Sequence, residues 1–430
     1  AGIIPICINT LLPSKDYKYM IEDSEAKAVI VSEKLLDKFN SLIQKDNSIL
    51  IISNSNENCI DLNTLINQNT HYMEKPFETH ESDTAFWLYS SGSTGSPKGT
   101  LHMHKSLVAT AETYAKKVLN ITNNDICFSA AKLFFAYGLG NALTFPMSVG
   151  ATSILMSDRP TPESVSNIIK KYSVTLFFGV PTLYAALLNS KISSSFFKSL
   201  RLSISAGEAL PANLYERWYK FIGIKVLDGI GSTEMLHIFI SNTIDNITPG
   251  ASGKPVNGYE ARLINDDGKV ASDDEIAELE VKGPSSASSY WNKPKKSSVT
   301  FKDEWTKTGD KYIRDVNGIY TYCGRADDMM KVSGQYVSPF EVEAALQSHE
   351  EVLEAAVVGS RDSNNLIKPK AFVILKNKSK ETENLKLALT NHVKNQLTPF
   401  KYPRWYEFVN ELPKTATGKI QRYKLRTNND

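Results

Sequence analysis

Residues 89–99 read Tyr-Ser-Ser-Gly-Ser-Thr-Gly-Ser-Pro-Lys-Gly, and they constrain the architecture more than any other stretch of the chain. Small residues let backbone N–H groups approach an anion, the hydroxyls add donors, and Lys98 adds a positive charge. A strand-like segment precedes the run and a helix-like pattern follows it, as in many phosphate-binding loops. The run lacks the Gly-Lys-Ser/Thr ending of a Walker A loop. A flexible Ser/Gly connector is the alternative interpretation.

The composition limits the classes of protein to which this chain can belong. The chain has 430 residues, which predicts two or three domains, and 41% of them are hydrophobic and 22% charged, as in soluble globular proteins. The net charge of +2 provides no general field for a nucleic acid or a membrane surface, so a bound anion needs a local site. No segment has the unbroken apolar length of a membrane span, and the His residues lack metal-ligand spacing such as HExxH.

The four cysteines indicate the redox setting. Cys7, Cys59, Cys127 and Cys323 are far apart in sequence and form no CxxC motif. Free thiols are the favoured interpretation, and one long-range disulfide is the alternative. Free thiols predict a reducing, cytoplasmic setting.

Strand-like and helix-like segments alternate over the first three quarters of the chain, which predicts α/β layers with largely parallel sheets. From about Gly250 the chain becomes β-rich, and from about Asp328 it becomes a compact α+β tail. The predicted strands are Val29–Ser32, Thr84–Tyr89, Val174–Val180, Leu200–Ser205, Ile224–Leu227, Ala277–Lys282, Ala355–Val358 and Ala371–Leu375. Three predicted helices start at Glu33, at Pro181 and at the capping box Ser338-Pro-Phe-Glu341. Two further predicted helices span His102–Leu119 and Glu383–Gln396.

The run at 89–99 resembles the signature loop of the acyl-adenylate-forming enzymes, which include acyl-CoA synthetases, peptide-synthetase adenylation domains and luciferases. Four further family motifs follow in order, so the resemblance covers essentially the whole chain. They are Gly229-Ile-Gly-Ser-Thr-Glu234, Thr308-Gly-Asp310, Gly324-Arg-Ala-Asp-Asp328 and Pro413-Lys-Thr-Ala-Thr-Gly-Lys419.

Longer strings resemble the benzoate–CoA ligases and their aryl relatives in particular. They are Leu133-Phe-Phe-Ala-Tyr-Gly-Leu-Gly-Asn141, Ser205-Ala-Gly-Glu-Ala-Leu-Pro211, Asp228-Gly-Ile-Gly-Ser-Thr-Glu-Met-Leu-His237 and Val332-Ser-Gly-Gln-Tyr-Val-Ser-Pro-Phe-Glu341. The resemblance implies a large AMP-binding domain over 1–325, a hinge at 326–328 and a small mobile domain over 329–430. Family members carry a further portion before the equivalent of Ala-Gly-Ile-Ile-Pro, so we expect the large domain to be N-terminally incomplete.

The implied reaction joins a carboxylic acid to the α-phosphate of ATP and then transfers the acyl group to a thiol, expected to be that of CoA. The resemblance assigns the β- and γ-phosphates to the glycine-rich loop, the adenine to the turns near Asp228, and the ribose to Asp310 and Arg325. The nucleotide residues are Ser90, Ser91, Gly92, Ser93, Thr94, Gly95, Ser96, Pro97, Lys98, Gly99, Gly207, Glu208, Asp228, Gly229, Asp310 and Arg325. Asp228 as a helix cap is an equally weighted alternative.

Three residues are assigned to the chemical steps. Thr233 is expected to contact the α-phosphate, and Glu234 to anchor Mg²⁺, a cation that binds few carboxylates and several waters. An ordinary surface role is the alternative for Glu234. Lys419 is expected to neutralise the carboxylate and the α-phosphate as they meet. The neighbouring basic residues Lys414, Arg422, Lys424 and Arg426 are interpreted mostly as a solvated face.

The resemblance also implies that the small domain rotates about Asp327 between the two steps. Rotation would withdraw Lys419 and bring Ser333, Gly334, Gln335 and Tyr336 to the CoA arm. The acyl pocket is expected to consist of Ala136, Tyr137, Gly138, Ile230 and His237, since aromatic and glycine residues suit a flat ring. Ordinary core packing is the alternative for this set.

The leading hypothesis is therefore an ATP-dependent aryl acid–CoA ligase with Mg²⁺, in the cytoplasm and with a homodimer as one expected assembly. An adenylating enzyme that loads a carrier protein or another thiol is the nearest alternative. A non-catalytic nucleotide-binding fragment is the alternative from another class.

Overall fold

The computed structural model describes residues 2–39, 50–53, 59–68, 75–92, 95–332, 335–363, 366–377, 381–414 and 420–427. Five of the predicted site residues lie outside these ranges: Ser93, Thr94, Ser333, Gly334 and Lys419. The chain divides into two compact units, the first comprising residues 1–105 and 287–297 and the second 106–286 and 298–430. The predicted hinge at 326–328 lies within the second unit and stays a prediction.

The first unit contains two small sheets. The four-stranded sheet has the order Ile6–Cys7, Thr84–Gly92, Gly95–Met103, Ser289–Tyr290, and only its first pair is parallel. The three-stranded parallel sheet consists of Ala28–Ile30, Leu50–Ser53 and Ile60–Asp61.

The predicted strand before the glycine-rich run and the predicted helix after it are both present, but the prediction missed a strand between them. The strand Thr84–Gly92 is followed by an antiparallel strand, Gly95–Met103, and the helix begins only at His104. The reason is a period of two: Thr100 and His102 are buried, while Leu101 and Met103 are half-buried. The glycine-rich run is therefore the tip of a β-hairpin.

The second unit is built around a seven-stranded sheet. Its order is Lys254–Pro255, Ile238–Ser241, Val226–Gly231, Leu202–Ser205, Leu176–Gly179, Ile126–Ser129, Thr152–Ile154. The last five strands are parallel, which confirms the predicted α/β layer. Phe177 packs into the core on one face and Phe178 into the core on the other, since successive side chains point to opposite faces.

An antiparallel sheet packs against the same core. It consists of Glu260–Ile264, Ala277–Lys282, Trp305–Arg314, Phe301–Lys302 and Tyr320–Arg325. Its Leu279 and Tyr312 share a buried cluster with Phe178 and Leu227 of the seven-stranded sheet. This sheet confirms the β-rich section that composition predicts after about Gly250.

The C-terminal part has its own core. A two-stranded sheet, Met330–Val332 with Gln335–Val337, precedes a three-stranded sheet made of Val352–Arg361, Ile367–Leu375 and Trp405–Phe408. Ser338 caps the helix Pro339–Gln347 by accepting a 3.2 Å hydrogen bond from the backbone N–H of Glu341.

Regular helices connect these sheets. The α-helices are Ser14–Ser24, Leu62–Gln68, His104–Thr110, Ala136–Leu139, Phe145–Val149, Pro162–Tyr172, Pro181–Asn189, Ala212–Ile222, Pro294–Thr300, Pro339–Gln347, Glu383–Gln396 and Arg422–Thr427. Ala111–Ala115 and Gly140–Thr144 are π-helical, and Glu33–Phe39, Ser194–Phe197 and Pro399–Lys401 are 3₁₀-helical. None of the helices that the structure describes combines the length and apolar character that a membrane crossing requires.

Candidate functional site

Asp228 lies at the carboxyl end of the parallel sheet. It is paired in register with Ser205, and the turn after Ser205 bends back so that the backbone N–H of Leu210 donates to Asp228 Oδ2 at 3.4 Å. Burial raises the pKa of Asp228 to about 8. Within the described part of the chain, Oδ1 has no hydrogen-bond partner. This edge of a parallel sheet is where α/β proteins bind ligands.

Gly207 and Glu208 form the turn that faces Asp228. Gly207 has a φ of +94°, which favours glycine, and a Cβ at this position would meet only Val180 Cγ1 at 3.8 Å. The conformation, not crowding, therefore requires glycine here. The structure brings this turn together with Asp228 and Gly229, as the sequence predicts for an adenine pocket.

Thr233 and Glu234 lie on a tight turn between two strands. Ser232 Oγ accepts a hydrogen bond from the Met235 N–H at 3.1 Å, and Ser285 donates to the Met235 carbonyl at 2.7 Å. Leu236 has a φ of +65°, a left-handed conformation that costs free energy for a residue with a Cβ. Met235 is fully buried, so it anchors a turn on which Glu234 stays half-exposed.

The Thr-Gly-Asp and Gly-Arg motifs lie side by side. Asp310 and Arg325 are opposite each other on antiparallel strands, and Arg325 Nη1 donates to Asp310 Oδ1 at 3.0 Å and to the Thr308 carbonyl at 2.9 Å. Burial opposes the charge of Arg325, but the carboxylate of Asp310 outweighs it and raises the pKa of the guanidinium. Gly309, with a φ of +71°, makes room for the guanidinium, since a Cβ there would lie 2.7 Å from Arg325 Nη2.

Asp327 lies in the turn between the strands Tyr320–Arg325 and Met330–Val332 and is exposed. The carbonyl of Arg325 accepts hydrogen bonds from the backbone N–H groups of Asp328 and Met329, at 2.9 and 3.1 Å. The predicted hinge residue is thus next to the predicted ribose-binding arginine.

His237 is surrounded by aromatic rings. The ring centroids of Phe145, Tyr114 and Tyr137 lie 4.5, 5.3 and 5.7 Å from that of His237. Burial lowers the pKa of His237 to about 3, so the ring is neutral at pH 7. Its Nε2 donates to Asn141 Oδ1 at 3.0 Å.

Several buried polar atoms around this ring have no partner among the described residues. They are His237 Nδ1, Asn141 Nδ2 and the Tyr114 hydroxyl. Buried polar atoms are normally hydrogen-bonded, so this set is a candidate lining for a ligand.

The remaining predicted pocket residues pack nearby. Tyr137 and Ile230 are partly buried against the cluster that includes Phe145. Ala136 and Gly138 lie with Tyr137 on the helix Ala136–Leu139. A Cβ on Gly138 would lie 2.1 Å from the Lys132 carbonyl oxygen, so the helix approaches that backbone too closely for any larger residue.

The glycine-rich hairpin belongs to the first unit. Lys98 donates to the Tyr290 hydroxyl at 2.6 Å and lies 4.0 Å from the centre of its ring. Tyr19 donates to the Pro97 carbonyl at 3.0 Å, and the Ser90 hydroxyl is buried without a partner in the described part of the chain. The hairpin backbone is described at Gly92, Gly95 and Gly99, while the side chains of 91–96 are outside the described set.

The interpretation of the C-terminal basic residues as a solvated face is wrong for Arg422 and Arg426, whereas Lys414 and Lys424 are exposed as predicted. Arg422 is buried and makes a bidentate ion pair with Glu343, at 2.7 and 2.9 Å. Arg426 pairs with Asp328, and Lys414 pairs with Glu354 at 2.7 Å. The physical reason is that Arg422–Thr427 is a helix packed against the strand Val352–Arg361, with Leu425 in its core.

Of the two CoA residues within the described ranges, Gln335 is exposed and Tyr336 contacts Asp266. All four cysteines are free, which confirms the favoured interpretation of the sequence.

Sequence reasoning missed two partners of the predicted site. Asn141 follows Tyr137 by four residues, so helical spacing alone would have placed both on one face. Tyr290 is 192 residues from Lys98, and no local sequence pattern predicts that the two side chains are in contact.

The chain belongs to the AMP-binding enzyme family. Residues 1–291 match the family of AMP-binding enzymes, and residues 341–419 match the AMP-binding enzyme C-terminal domain.

Within that family the similarity is to aryl acid–CoA ligases. The chain is 52% identical to a benzoate–CoA ligase of Thauera aromatica, over 99% of the chain and 81% of the relative. A solved benzoate CoA ligase from Burkholderia xenovorans is 48% identical with a TM-score of 0.91, over 99% of the chain and 85% of that protein. A solved anthranilate CoA ligase in complex with anthranoyl-AMP is 42% identical with a TM-score of 0.94, over 100% of the chain and 83% of that protein.

Proposed function

We propose that this protein is an ATP-dependent acid–CoA ligase that acts on benzoate or a related aryl carboxylate. The observation that carries the proposal is the 52% identity to a benzoate–CoA ligase over 99% of the chain. The aromatic rings packed around His237 also support it, since aromatic rings pack favourably against a further flat ring.

The first step forms an acyl-adenylate. A carboxylate oxygen attacks the α-phosphorus of ATP, and the bond from that phosphorus to the pyrophosphate oxygen breaks. Both reactants are anions, so positioning and neutralisation of charge dominate the barrier. We assign the neutralising role to Lys419, by resemblance, and the holding of the leaving pyrophosphate to the hairpin tip at 90–99.

The second step forms the thioester. The CoA thiol loses its proton and its sulfur attacks the acyl carbon, and the bond from that carbon to the AMP oxygen breaks. The products over both steps are the acyl-CoA, AMP and pyrophosphate.

The second unit supplies the groups for the nucleoside. Asp310 is buried and accepts a hydrogen bond from Arg325, which orients its carboxylate toward one position for the ribose hydroxyls. Asp228 holds a buried oxygen with no partner among the residues that the structure describes, and the adenine amino group is a suitable donor for it. The same edge carries Thr233, which we assign to the α-phosphate.

Glu234 is the residue that would hold Mg²⁺. Its half-exposed carboxylate fits a cation that takes one or two carboxylates together with waters and substrate phosphates. Among the described residues, no group of three or more His, Cys, Asp or Glu side chains is placed to hold a metal ion. When bound, the ion would supply charge neutralisation at the phosphates.

The test is acid-dependent pyrophosphate exchange over a panel of acids. The panel contains benzoate, hydroxybenzoates, aminobenzoates, cyclohexane carboxylate, acetate and a fatty acid. We expect exchange with one or more of the aromatic acids at a kcat/KM at least ~100-fold above acetate, as for a pocket that selects by burial of a ring. Exchange with aliphatic acids alone would overturn the aryl assignment.

The acceptor is tested separately. The purified acyl-adenylate is supplied with CoA or with a carrier protein bearing a phosphopantetheine arm. Thioester formation with CoA is the expected result, and transfer to the carrier alone would favour the carrier-loading alternative. We also propose a cytoplasmic location, because free cysteines suit a reducing compartment, and a homodimer, which sedimentation in solution tests.

A further inference from the structure

Asp266 contacts three side chains at the tip of a turn. The Tyr336 hydroxyl donates to Asp266 Oδ2 at 2.7 Å and lies 3.0 Å from Oδ1. The Lys311 ammonium lies 3.3 Å from Oδ1, and that of Lys331 lies 3.6 Å from Oδ2. Both ammonium groups also lie over the Tyr336 ring, at 5.2 and 5.3 Å from its centre.

The turn that carries Asp266 has hydrogen bonds of its own. The Asn265 side-chain oxygen accepts hydrogen bonds from the backbone N–H groups of Asp267 and Lys269, at 3.2 and 3.0 Å. Gly268 has a φ of +77°, a conformation that favours glycine and closes the turn. Asp266 therefore projects from a fixed backbone.

The contact joins the two sides of the predicted hinge. Asp266 and Lys311 belong to the antiparallel β-section before residues 326–328. Lys331 and Tyr336 lie on the short strands Met330–Val332 and Gln335–Val337 after them. Tyr336 is one of the residues that the resemblance assigns to the CoA arm, and in this arrangement its hydroxyl is used by Asp266.

We propose that Asp266 is a positioning residue that latches the strands Met330–Val332 and Gln335–Val337 in the arrangement used for acyl-adenylate formation. Release of Tyr336 from Asp266 then precedes the thioester step. The inference rests on the proposed function, since it assigns the latch to one of the two half-reactions.

The charges suit a bond that forms and breaks in each turnover. The Tyr336 hydrogen bond is the main cause that lowers the pKa of Asp266, so the carboxylate is ionised at neutral pH. Burial and then Asp266 raise the pKa of Tyr336 to about 12, so the hydroxyl remains a donor. The Asp266 side chain is 53% exposed while that of Lys311 is 9% exposed, so water competes for the carboxylate and keeps the bond weak.

The test compares the two half-reactions in Asp266→Ala. Two rate constants are measured: the kcat of acid-dependent pyrophosphate exchange and the kcat of thioester formation from supplied acyl-adenylate. The ratio of the first to the second should fall about fivefold, as expected for loss of a partly exposed hydrogen bond to a charged group. The KM for the acid should stay within about twofold of wild type, because Asp266 is not assigned to the acyl pocket. Asp273→Ala is the matched control, since Asp273 pairs with Arg314 at 2.6 Å in the same β-section.

A double variant tests whether the effect runs through Tyr336. In a Tyr336→Phe background, which lacks only the hydroxyl, Asp266→Ala should change the ratio less than about twofold, because the shared bond is already gone. A ratio like that of Asp273→Ala, or an equal loss in both half-reactions, would overturn the latch.

Hydrogen–deuterium exchange supplies a readout that does not depend on activity. Backbone amides of Met330–Val332 and Gln335–Val337 should exchange faster in Asp266→Ala than in wild type or Asp273→Ala. Unchanged exchange would contradict the latch. A wild-type protein that activates no acid in the panel would instead contradict the proposed function, so the two failures are distinguishable.

Discussion

Arg325 donates a 3.0 Å hydrogen bond from Nη1 to Oδ1 of Asp310, across a pair of antiparallel strands. The two residues come from separate sequence motifs, and the strand pairing makes them one unit. The buried carboxylate of Asp310 is thereby held at one angle, as a group that binds vicinal hydroxyls requires.

Asp310→Ala should raise the KM for ATP by about tenfold or more, because hydrogen bonds to charged groups contribute about 1.5–3 kcal/mol. The KM for the aryl acid should stay nearly constant, since the acid is assigned to other residues. Steady-state kinetics with each substrate varied in turn provides the measurement. The control is Asp273→Ala, and an equal rise in both KM values would contradict the ribose assignment.

Asp228→Asn should flatten the dependence of stability on pH. Burial raises the pKa of Asp228 to about 8, while the unfolded value is about 4. The folded state keeps a proton that the unfolded state releases, so the side chain contributes stability below about pH 4, and this contribution is lost as the pH rises through about 8. The amide keeps the shape and an acceptor for the Leu210 N–H without this loss.

Urea denaturation of the nucleotide-free Asp228→Asn protein between about pH 5 and 8 is the measurement. The free energy of unfolding of wild type should fall relative to that of the variant across this window. Parallel curves would show that Asp228 ionises at an ordinary pKa.

Gly140→Ala should destabilise the fold and disturb the proposed acyl pocket. A Cβ at this position would lie 2.4 Å from Cδ2 of the buried His237. Overpacking of this kind costs about 1–3 kcal/mol, which exceeds the gain of about 1 kcal/mol in helix propensity. The free energy of unfolding and the KM for the acid provide the readouts.

His237→Ala supplies the control background for that variant. With the ring removed, Gly140→Ala should be much less destabilising, because only Phe145 Cζ, at 3.1 Å, then lies close to the added Cβ. The same destabilisation in both backgrounds would show that the clash with His237 is not its cause.

Glu343→Ala should destabilise the C-terminal part by about 3 kcal/mol, because it removes the closer carboxylate of the buried Arg422 and leaves only the 3.6 Å contact with Asp328. The substitution also removes the acceptor of the Val357 N–H, bonded at 2.7 Å. Glu354→Ala breaks the more exposed pair with Lys414 and should cost less than about 1 kcal/mol. Chemical denaturation measures the free energy of unfolding of both variants. Similar losses of unfolding free energy in the two would refute the structural role of Arg422.

Lys419→Ala should reduce acid-dependent pyrophosphate exchange about a hundredfold or more, as for the loss of one well-placed donor in a transition state. Thioester formation from supplied acyl-adenylate should largely survive. Lys424→Ala, five residues further along, should leave both activities near wild type. Equal loss of the two half-reactions in Lys419→Ala would remove its assignment to the first step.

Local sequence patterns determined much of this protein. The strand Ala277–Lys282 and the helix Glu383–Gln396 lie where the hydrophobic period placed them. The family motifs predicted adenylate-forming chemistry. Such motifs can be read from sequence because they contain turn residues, such as Gly207 and Gly309, whose positive φ depends only on neighbouring residues. Asn141 lay within reach of the same reasoning, at helical spacing from Tyr137.

The tertiary structure alone decided which distant residues became partners. Arg422 has the same local context as an exposed basic residue, and only the packing of its helix beside Glu343 makes it a buried ion pair. The Asp266–Tyr336 contact and the Lys98–Tyr290 contact join positions 70 and 192 residues apart. A local pattern reports the backbone period and its turns, whereas pairing across such distances follows from how sheets and helices pack. The glycine-rich run shows both: its composition predicted an anion site, and strand pairing made it the tip of a hairpin.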